Sequence, residues 1–382
     1  MNIPKTTHAA VLYELKKPLV IEELELPELQ AGQVLVKIAY SGVCHTQLLE
    51  VNGSRGADPY LPHLLGHEAS GTVLAVGEGV NTVKPQDSVV LSWIKGAGCN
   101  SAAPIYTAAR AIALDRVVHV TTPRHWTAPQ APLGFGGTLN KTTDGKKINA
   151  GQIATFAEHA IVSENRCTTI PNNIPLDIAA LLGCAIPTGA GIVINQLGVR
   201  PGESLVIIGV GGVGLCAVLA ASFLHCNPII AIDINEKNLE LAKTLGATYV
   251  FNPKNCDASK EVKGILKNGA DYIIDASGNA NAMEMGFKLT RESGGQFVIA
   301  GNLPFGETIR IDPFDLIKGK KIIGSWGGQT SPTKQIPVFA ELFMKRIWPL
   351  ERLIAQTFKF HDVNIALDTL ETGVSGRILL QI

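Results

Sequence analysis

Two groups of residues in this sequence have types and spacings that could do chemistry. The first is Gly209-Val210-Gly211-Gly212-Val213-Gly214, which follows the apolar run Leu205–Ile208 and opens a second apolar stretch beginning near Val213. Glycines at 209, 211, 212 and 214 permit a tight turn from strand to helix, and they let backbone N–H groups approach a pyrophosphate at the positive end of the helix. Asp233 ends the next apolar run, 19 residues after Gly214. A carboxylate there can accept hydrogen bonds from the hydroxyls of an adenosine ribose and repel a 2′-phosphate. No arginine follows in Ile234-Asn235-Glu236-Lys237-Asn238, so the pattern predicts NAD rather than NADP. A turn acid or a helix cap is the other reading of Asp233.

The second group is Cys44-His45-Thr46 just after the apolar run Val34–Tyr40, then Gly66-His67-Glu68, then Cys184 within Leu182-Gly183-Cys184. Thiolate and imidazole are metal ligands, although each of these residues alone is more often a buried thiol or a packed histidine. The seven cysteines (Cys44, Cys99, Cys167, Cys184, Cys216, Cys226 and Cys256) are odd in number and scattered. That distribution predicts thiolate or metal chemistry and no disulfide framework.

Positioning these residues takes two kinds of architecture. A chain of 382 residues, 46% hydrophobic and 17% charged, is long enough for two domains and too apolar for disorder. Its 33 basic residues balance 33 acidic ones, which leaves no electrostatic reason to bind nucleic acid or an acidic membrane surface. The opening residues lack the apolar core of a signal peptide, and the apolar runs near 205–232 are broken by glycines and by His225, Asn227 and Pro228. The expectation is a cytoplasmic protein without a membrane span. Residues 1 to about 95 read as short strands (Ala9–Leu12, Gln33–Tyr40, Ser70–Val76, Asp87–Leu91), a β-rich unit. From about 185, buried-type strands alternate with helices, the pattern of a doubly wound parallel sheet. Between about 95 and 150 the periodicity fades, with at most a short helix over Ala109–Val120. The last stretch, from about 328, has helical periodicity at Gln335–Lys345 and ends strand-like in Arg377–Ile382. Spacing alone does not say which unit it joins.

With these motifs in place, the sequence resembles the zinc-dependent alcohol dehydrogenases of the medium-chain dehydrogenase/reductase superfamily. The resemblance is carried by GVCHT (42–46), PHLLGHEASGTVLAVGEGV (62–80), LLGCAIPTGAG (181–191), GVGGVG (209–214) and SGRILL (375–380), and it covers nearly the whole chain outside 95–150. It implies an α/β protein with a GroES-like β-rich catalytic domain over 1–185, completed by about 328–382, and a Rossmann NAD-binding domain over 186–327. It also implies a catalytic Zn²⁺ on Cys44, His67 and Cys184 with an open fourth position. The reaction implied is reversible oxidation of a small alcohol to an aldehyde or ketone by hydride transfer to NAD, with the metal as Lewis acid.

The remaining roles come from the same resemblance. Thr46 matches the hydroxyl that takes the alcohol's proton, and Glu68 the carboxylate beside the metal, unless Glu68 is simply a paired buried acid. His45 matches a position near the pyrophosphate, or is a surface histidine. Thr188 resembles the residue that packs on the nicotinamide and Arg377 the one that reaches the cofactor phosphates, with a purely structural role as the alternative for each. A homodimer or homotetramer is implied, with late strands of the nucleotide domain near Ile309–Ile311 and Ile322–Trp326 meeting across a two-fold axis.

The pattern breaks at three places. Many family members hold a second, structural zinc on four cysteines in the loop after Val90-Leu91, whereas that loop here offers Cys99 alone and no further cysteine occurs before Cys167. One zinc per chain is therefore expected. Gln47 stands where the family usually has a carboxylate that orients the ligating histidine, and an amide oxygen there would hold it less strongly. Leu49 stands where some members complete a proton relay with histidine, so proton exit would use water or His45.

Three other functions compete. Cys44-His45-Thr46 and Ala57-Asp58-Pro59 echo the S-(hydroxymethyl)glutathione (formaldehyde) dehydrogenases, whose anionic substrate needs a basic residue, for which Arg55, Arg110 and Arg124 are candidates. Polyol dehydrogenases also occur without the structural zinc. A cofactor-binding protein that has lost catalysis is the reading from another class.

Overall fold

The structure is a computed structural model that describes residues 3–108 and 147–382; the helix expected over Ala109–Val120 lies outside these residues. The amino-terminal half forms two sheets. One is a small closed barrel in the order Thr6–Leu12, Val20–Glu25, Ile105–Ala108, Lys147–Asn149, His63–Leu64. The other runs Cys167–Thr169, Ser88–Ser92, Glu68–Val76, Gln33–Val43, Arg377–Gln381, Ile354–Lys359, with His159–Ser163 also paired to Gln33–Val43. Its strands beyond residue 350 are the carboxy-terminal ones. Ile378 pairs with Val43, Leu379 with Gly42 and Leu380 with Ser41, all antiparallel, so the chain returns to its first unit.

Between these segments lies a six-stranded, all-parallel sheet ordered Tyr249–Phe251, Ile229–Ile232, Leu205–Ile208, Tyr272–Asp275, Gln296–Ile299, Lys321–Gly324. Side chains alternate across a strand, and the two cores record it. Leu205, Ile207, Ile229, Ala231 and Ile274 pack on one face with helix Gly212–Phe223. Val206, Ile208, Ile230, Ile232 and Ile273 pack on the other with Phe287 and Phe297. A sheet apolar on both faces must be covered on both, which is why these strands lack polar alternation. The strand order reverses at Leu205–Ile208, and the crevice at the carboxyl end of that strand is where the glycine motif lies.

One sequence expectation fails in the single chain. Residues 309–311 form no strand; the Arg310 N–H donates to Glu284 Oε1 at 2.8 Å, and Ile309 and Ile311 rest partly buried against the core around Phe287. Alternating apolar residues are satisfied there by packing, without a neighbouring strand. Among the described residues no helix is long and apolar enough to cross a membrane.

Candidate active site

The antiparallel registers bring the chemistry-bearing residues to the same end of neighbouring interior strands of the second sheet. Ser41 pairs with Ala69 and Glu68 with Ser92, so Cys44 at the end of one strand, His67 and Glu68 at the start of the next and Trp93 at the end of the third lie side by side. The pairing of Ile378 with Val43 adds Arg377 on the other flank. Cys184 arrives from the following segment, where the Ser92 hydroxyl donates to Gly183 O at 2.7 Å. A Cβ at Gly183 would sit 2.4 Å from Leu91 O and 2.8 Å from Glu68 Cβ, so only glycine lets the backbone before Cys184 come this close.

One ligand atom from each of Cys44, His67, Glu68 and Cys184 lies within 4.8 Å of the others. His67 Nε2 is buried and has no hydrogen-bond partner among the described residues. Two thiols, an unpartnered imidazole nitrogen and a carboxylate in so small a space fit a zinc-type donor set. Hydrogen bonding from the Cys184 thiol, with help from Arg377, holds Cys44 well below the usual thiol range, while Cys184 is raised. The pair thus readily supplies a thiolate. From outside, the Trp93 indole N–H donates to Cys184 Sγ at 3.2 Å. The Trp93 ring meets Trp326 edge-on, centroids 5.1 Å apart, and Ile94 joins it in an apolar wall against Cys184 and Cys44.

Cys44 is the residue before helix His45–Val51. In the first turn His45 is exposed and Thr46 is buried, its Oγ1 4.0 Å from Cys44 Sγ. Gln47 does contact the histidine, though not through its oxygen: Oε1 accepts the Cys44 N–H at 3.0 Å and Nε2 donates to His67 Nδ1. Glu68 and Arg377, 0% and 4% exposed, form an ion pair through Oε1 and Nη2. Burial raises the Glu68 carboxyl against the pull of Arg377.

The nucleotide residues assemble around the same arginine. A Cβ at Gly212 would meet Arg377 Cδ at 2.5 Å, so the arginine passes directly under the start of helix Gly212–Phe223 and links the thiol cluster to the glycine turn. Gly209 turns with φ +83°, and a Cβ at Gly214 would meet Gly209 O at 2.0 Å. Among the described residues a Cβ at Gly211 would meet nothing within 4 Å, leaving its approach side open to them, as a pyrophosphate cradle requires. Val213 lies in the first helical turn. Asp233 closes this turn: Oδ2 accepts from Val210 N–H and Oδ1 from Asn235 N–H, both at 2.8 Å. Asn235, not Asp233, caps the next helix. Thr188 lies one helical turn past Cys184, its N–H donating to Cys184 O at 3.0 Å and its buried hydroxyl lacking a hydrogen-bond partner among the described residues.

The residues that echo glutathione-adduct recognition are engaged within the chain. Asp58 Oδ2 contacts buried His63 Nε2 at 2.8 Å, and Asp58 Oδ1 accepts from Tyr60 N–H at 2.9 Å. Arg55 pairs with Glu50 at 3.1 Å. Arg110 and Arg124 lie outside the described residues. The sequence reading did not single out Trp93; an aromatic residue just past a strand carries no local signal, and the register with Glu68 is what places it.

Residues 30–172 match the alcohol dehydrogenase GroES-like domain, and residues 212–344 match a family described as zinc-binding dehydrogenase. The chain is 33% identical to alcohol dehydrogenase-like 3 of Arabidopsis thaliana, over 99% of this chain and 96% of that one. It is also 33% identical to an S-(hydroxymethyl)glutathione dehydrogenase of Synechocystis sp., covering 98% and 99%. Among solved structures it resembles benzyl alcohol dehydrogenase from Acinetobacter calcoaceticus, with a TM-score of 0.83, 29% identity and coverage of 99% and 100%. Alcohol dehydrogenase TADH from Thermus sp. shares the fold at 22% identity, with a TM-score of 0.76 over 98% and 99% of the chains. With a donor cluster, a glycine turn and relatives alike from end to end, the chain belongs to the zinc-dependent alcohol dehydrogenases of the medium-chain dehydrogenase/reductase superfamily, enzymes built on a zinc and a nicotinamide cofactor.

Proposed function

We propose that this chain oxidises a small apolar alcohol with NAD, reversibly, using Cys44, His67 and Cys184 to hold one zinc. The observation that carries this reading is the approach of their ligand atoms, with Glu68, to within 4.8 Å of one another beside Arg377 and the glycine turn. When bound there, zinc supplies Lewis acidity that makes an alcohol's proton easier to remove.

The chain's own groups do the rest. Thr46 Oγ1 accepts the substrate's proton and His45, exposed at the start of its helix, passes it to solvent. The N–H groups at Gly211, Gly212 and Val213, with Gly209 and Gly214 shaping the turn, bind the pyrophosphate, and Arg377 adds a fixed positive charge below it. Asp233 accepts from the adenosine ribose, which favours NAD over NADP. Thr188 packs against the nicotinamide, and Glu68, paired with Arg377, is the carboxylate that can approach the metal when its other ligand exchanges. The domains divide at about 185 and 328.

Trp93, Ile94 and Trp326 supply an uncharged, largely aromatic wall, which favours an apolar or aromatic primary alcohol over a polyol. A glutathione adduct is the second reading, favoured by the 33% identical relatives of that name; the internal pairing of Asp58 and Arg55 weighs against it. Steady-state kcat/KM for benzyl alcohol, a simple primary alcohol, a polyol and S-hydroxymethylglutathione tests the reading. The apolar alcohols are expected to lead by at least tenfold, and a leading glutathione adduct would reverse the choice.

We place the protein in the cytoplasm and as a homodimer or dimer of dimers. Edge strand Lys321–Gly324 and the exposed Phe314, Leu316 and Ile317 just before it in the chain support self-association. Sedimentation as a monomer at micromolar concentration would refute the oligomer.

A further inference from the structure

Gln47 is buried and has two neighbours, each of which makes a demand on its single amide. The backbone N–H of Cys44 can only donate, and it lies 3.0 Å from Oε1. The amide oxygen is therefore committed to Cys44, and the NH₂ group is what remains to face His67 Nδ1. An NH₂ donor is satisfied only if Nδ1 carries the lone pair, which puts the imidazole proton on Nε2.

Holding a metal through Nε2 requires the opposite tautomer, with the proton on Nδ1. Two donors then face each other across the Gln47–His67 contact. Turning the amide over relieves that contact and sets NH₂ against the Cys44 N–H instead. Either orientation sets two buried donors against each other, whereas the metal-free site satisfies the Gln47 contact and carries a single unpaired donor, the His67 Nε2–H itself. A carboxylate at this position has two acceptor oxygens and would satisfy both donors at once.

We infer that Gln47 is a positioning residue that makes zinc occupancy of this site conditional, by favouring the His67 tautomer that cannot ligate through Nε2. The inference rests on the zinc site proposed above and concerns how strongly that site holds its metal. It makes the metal more easily lost and regained than in a site backed by a carboxylate.

The test is competition for zinc between the protein and a chromophoric chelator, in wild type and Gln47→Glu, with melting temperature and NADH binding as checks of folding. Gln47→Glu is expected to hold zinc about 10–100-fold more tightly. Equal or weaker retention in the folded variant overturns the inference and leaves the zinc site standing. Failure of wild type to bind zinc at all overturns both. Should Gln47→Glu not fold, the ¹⁵N spectrum of the histidine rings in metal-free wild type decides: His67 is expected as the Nε2–H tautomer, and an Nδ1–H tautomer overturns the proposal.

Discussion

Arg377 and Glu68, 309 positions apart in the chain, form a buried ion pair. The pair joins the last strand to the residue that follows His67, and Arg377 also underlies Gly212. One contact therefore braces the donor cluster, the glycine turn and the return of the chain to its first unit. Removing one member of a buried pair strands the other charge, at a cost of about 3–5 kcal/mol. Arg377→Met is expected to lower unfolding stability by this order and to weaken NADH binding in the same protein. Denaturant unfolding and fluorescence titration measure the two; wild-type values for both would show that the pair braces nothing.

A second buried carboxylate makes stability depend on acid. Burial alone would raise the Glu164 carboxyl, but N–H donors from Cys99, Asn81 and Thr82 and the Thr82 hydroxyl hold it down to about 2. It ties the loop at Asn81-Thr82 to the segment that carries Cys99. Because the folded value lies below the unfolded one, the stabilisation is complete above about pH 4.5 and is lost as pH falls from there through about 2. Its size is about 3 kcal/mol. Glu164→Gln should lose that amount at neutral pH and show a flatter acid limb in urea unfolding; an acid limb identical to wild type would contradict the assignment.

The glycine turn and Asp233 were legible because everything that defines them is local: strand, glycines, helix and acid follow one another along the chain. Cys44, His67 and Cys184 were legible only through their resemblance to a family, since their meeting depends on the registers Ser41 with Ala69 and Glu68 with Ser92. The return of residues 377–381 to the first unit was undecided by spacing and legible only through the same resemblance, because it is a pairing across more than 300 positions. The Gln47 contact was anticipated, but its polarity was not, because the Cys44 backbone N–H claims the oxygen. At Ile309–Ile311 the resemblance implied a strand that the single chain does not form, because Ile309 and Ile311 are partly buried against the core without a hydrogen-bonded neighbouring strand.

Thr46 is expected to carry a proton. Thr46→Ala should lower turnover by about 10²-fold or more, the scale of general acid–base catalysis, with zinc content unchanged. Thr46→Ser keeps a hydroxyl on the same carbon and should retain most of the rate. Equal rates for the two variants at saturating NAD would mean the residue only packs beside Cys44.

Asp233, proposed above to accept from the ribose, also holds the turn, since it accepts from Val210 and Asn235. Asp233→Asn removes the charge that repels a 2′-phosphate, but its single acceptor oxygen can serve only one of the two backbone N–H groups that Asp233 holds. The ratio of kcat/KM for NAD over NADP is expected to fall about tenfold, the equivalent of about 1.4 kcal/mol, with a lower melting temperature from the one N–H left without an acceptor, about 1–3 kcal/mol. An unchanged ratio, or a wild type that uses NADP equally well, would remove the cofactor role from this residue.

The claim on which all of this depends is that Cys44, His67 and Cys184 hold one zinc that the reaction needs, and elemental analysis alongside turnover tests it most directly. Purified wild type should contain about one zinc per chain. Cys184→Ser should contain almost none and turn over no alcohol, while still binding NADH, because the glycine turn lies on the other sheet. Two tightly held zincs in wild type, or turnover retained in a zinc-free Cys184→Ser protein, would contradict the account.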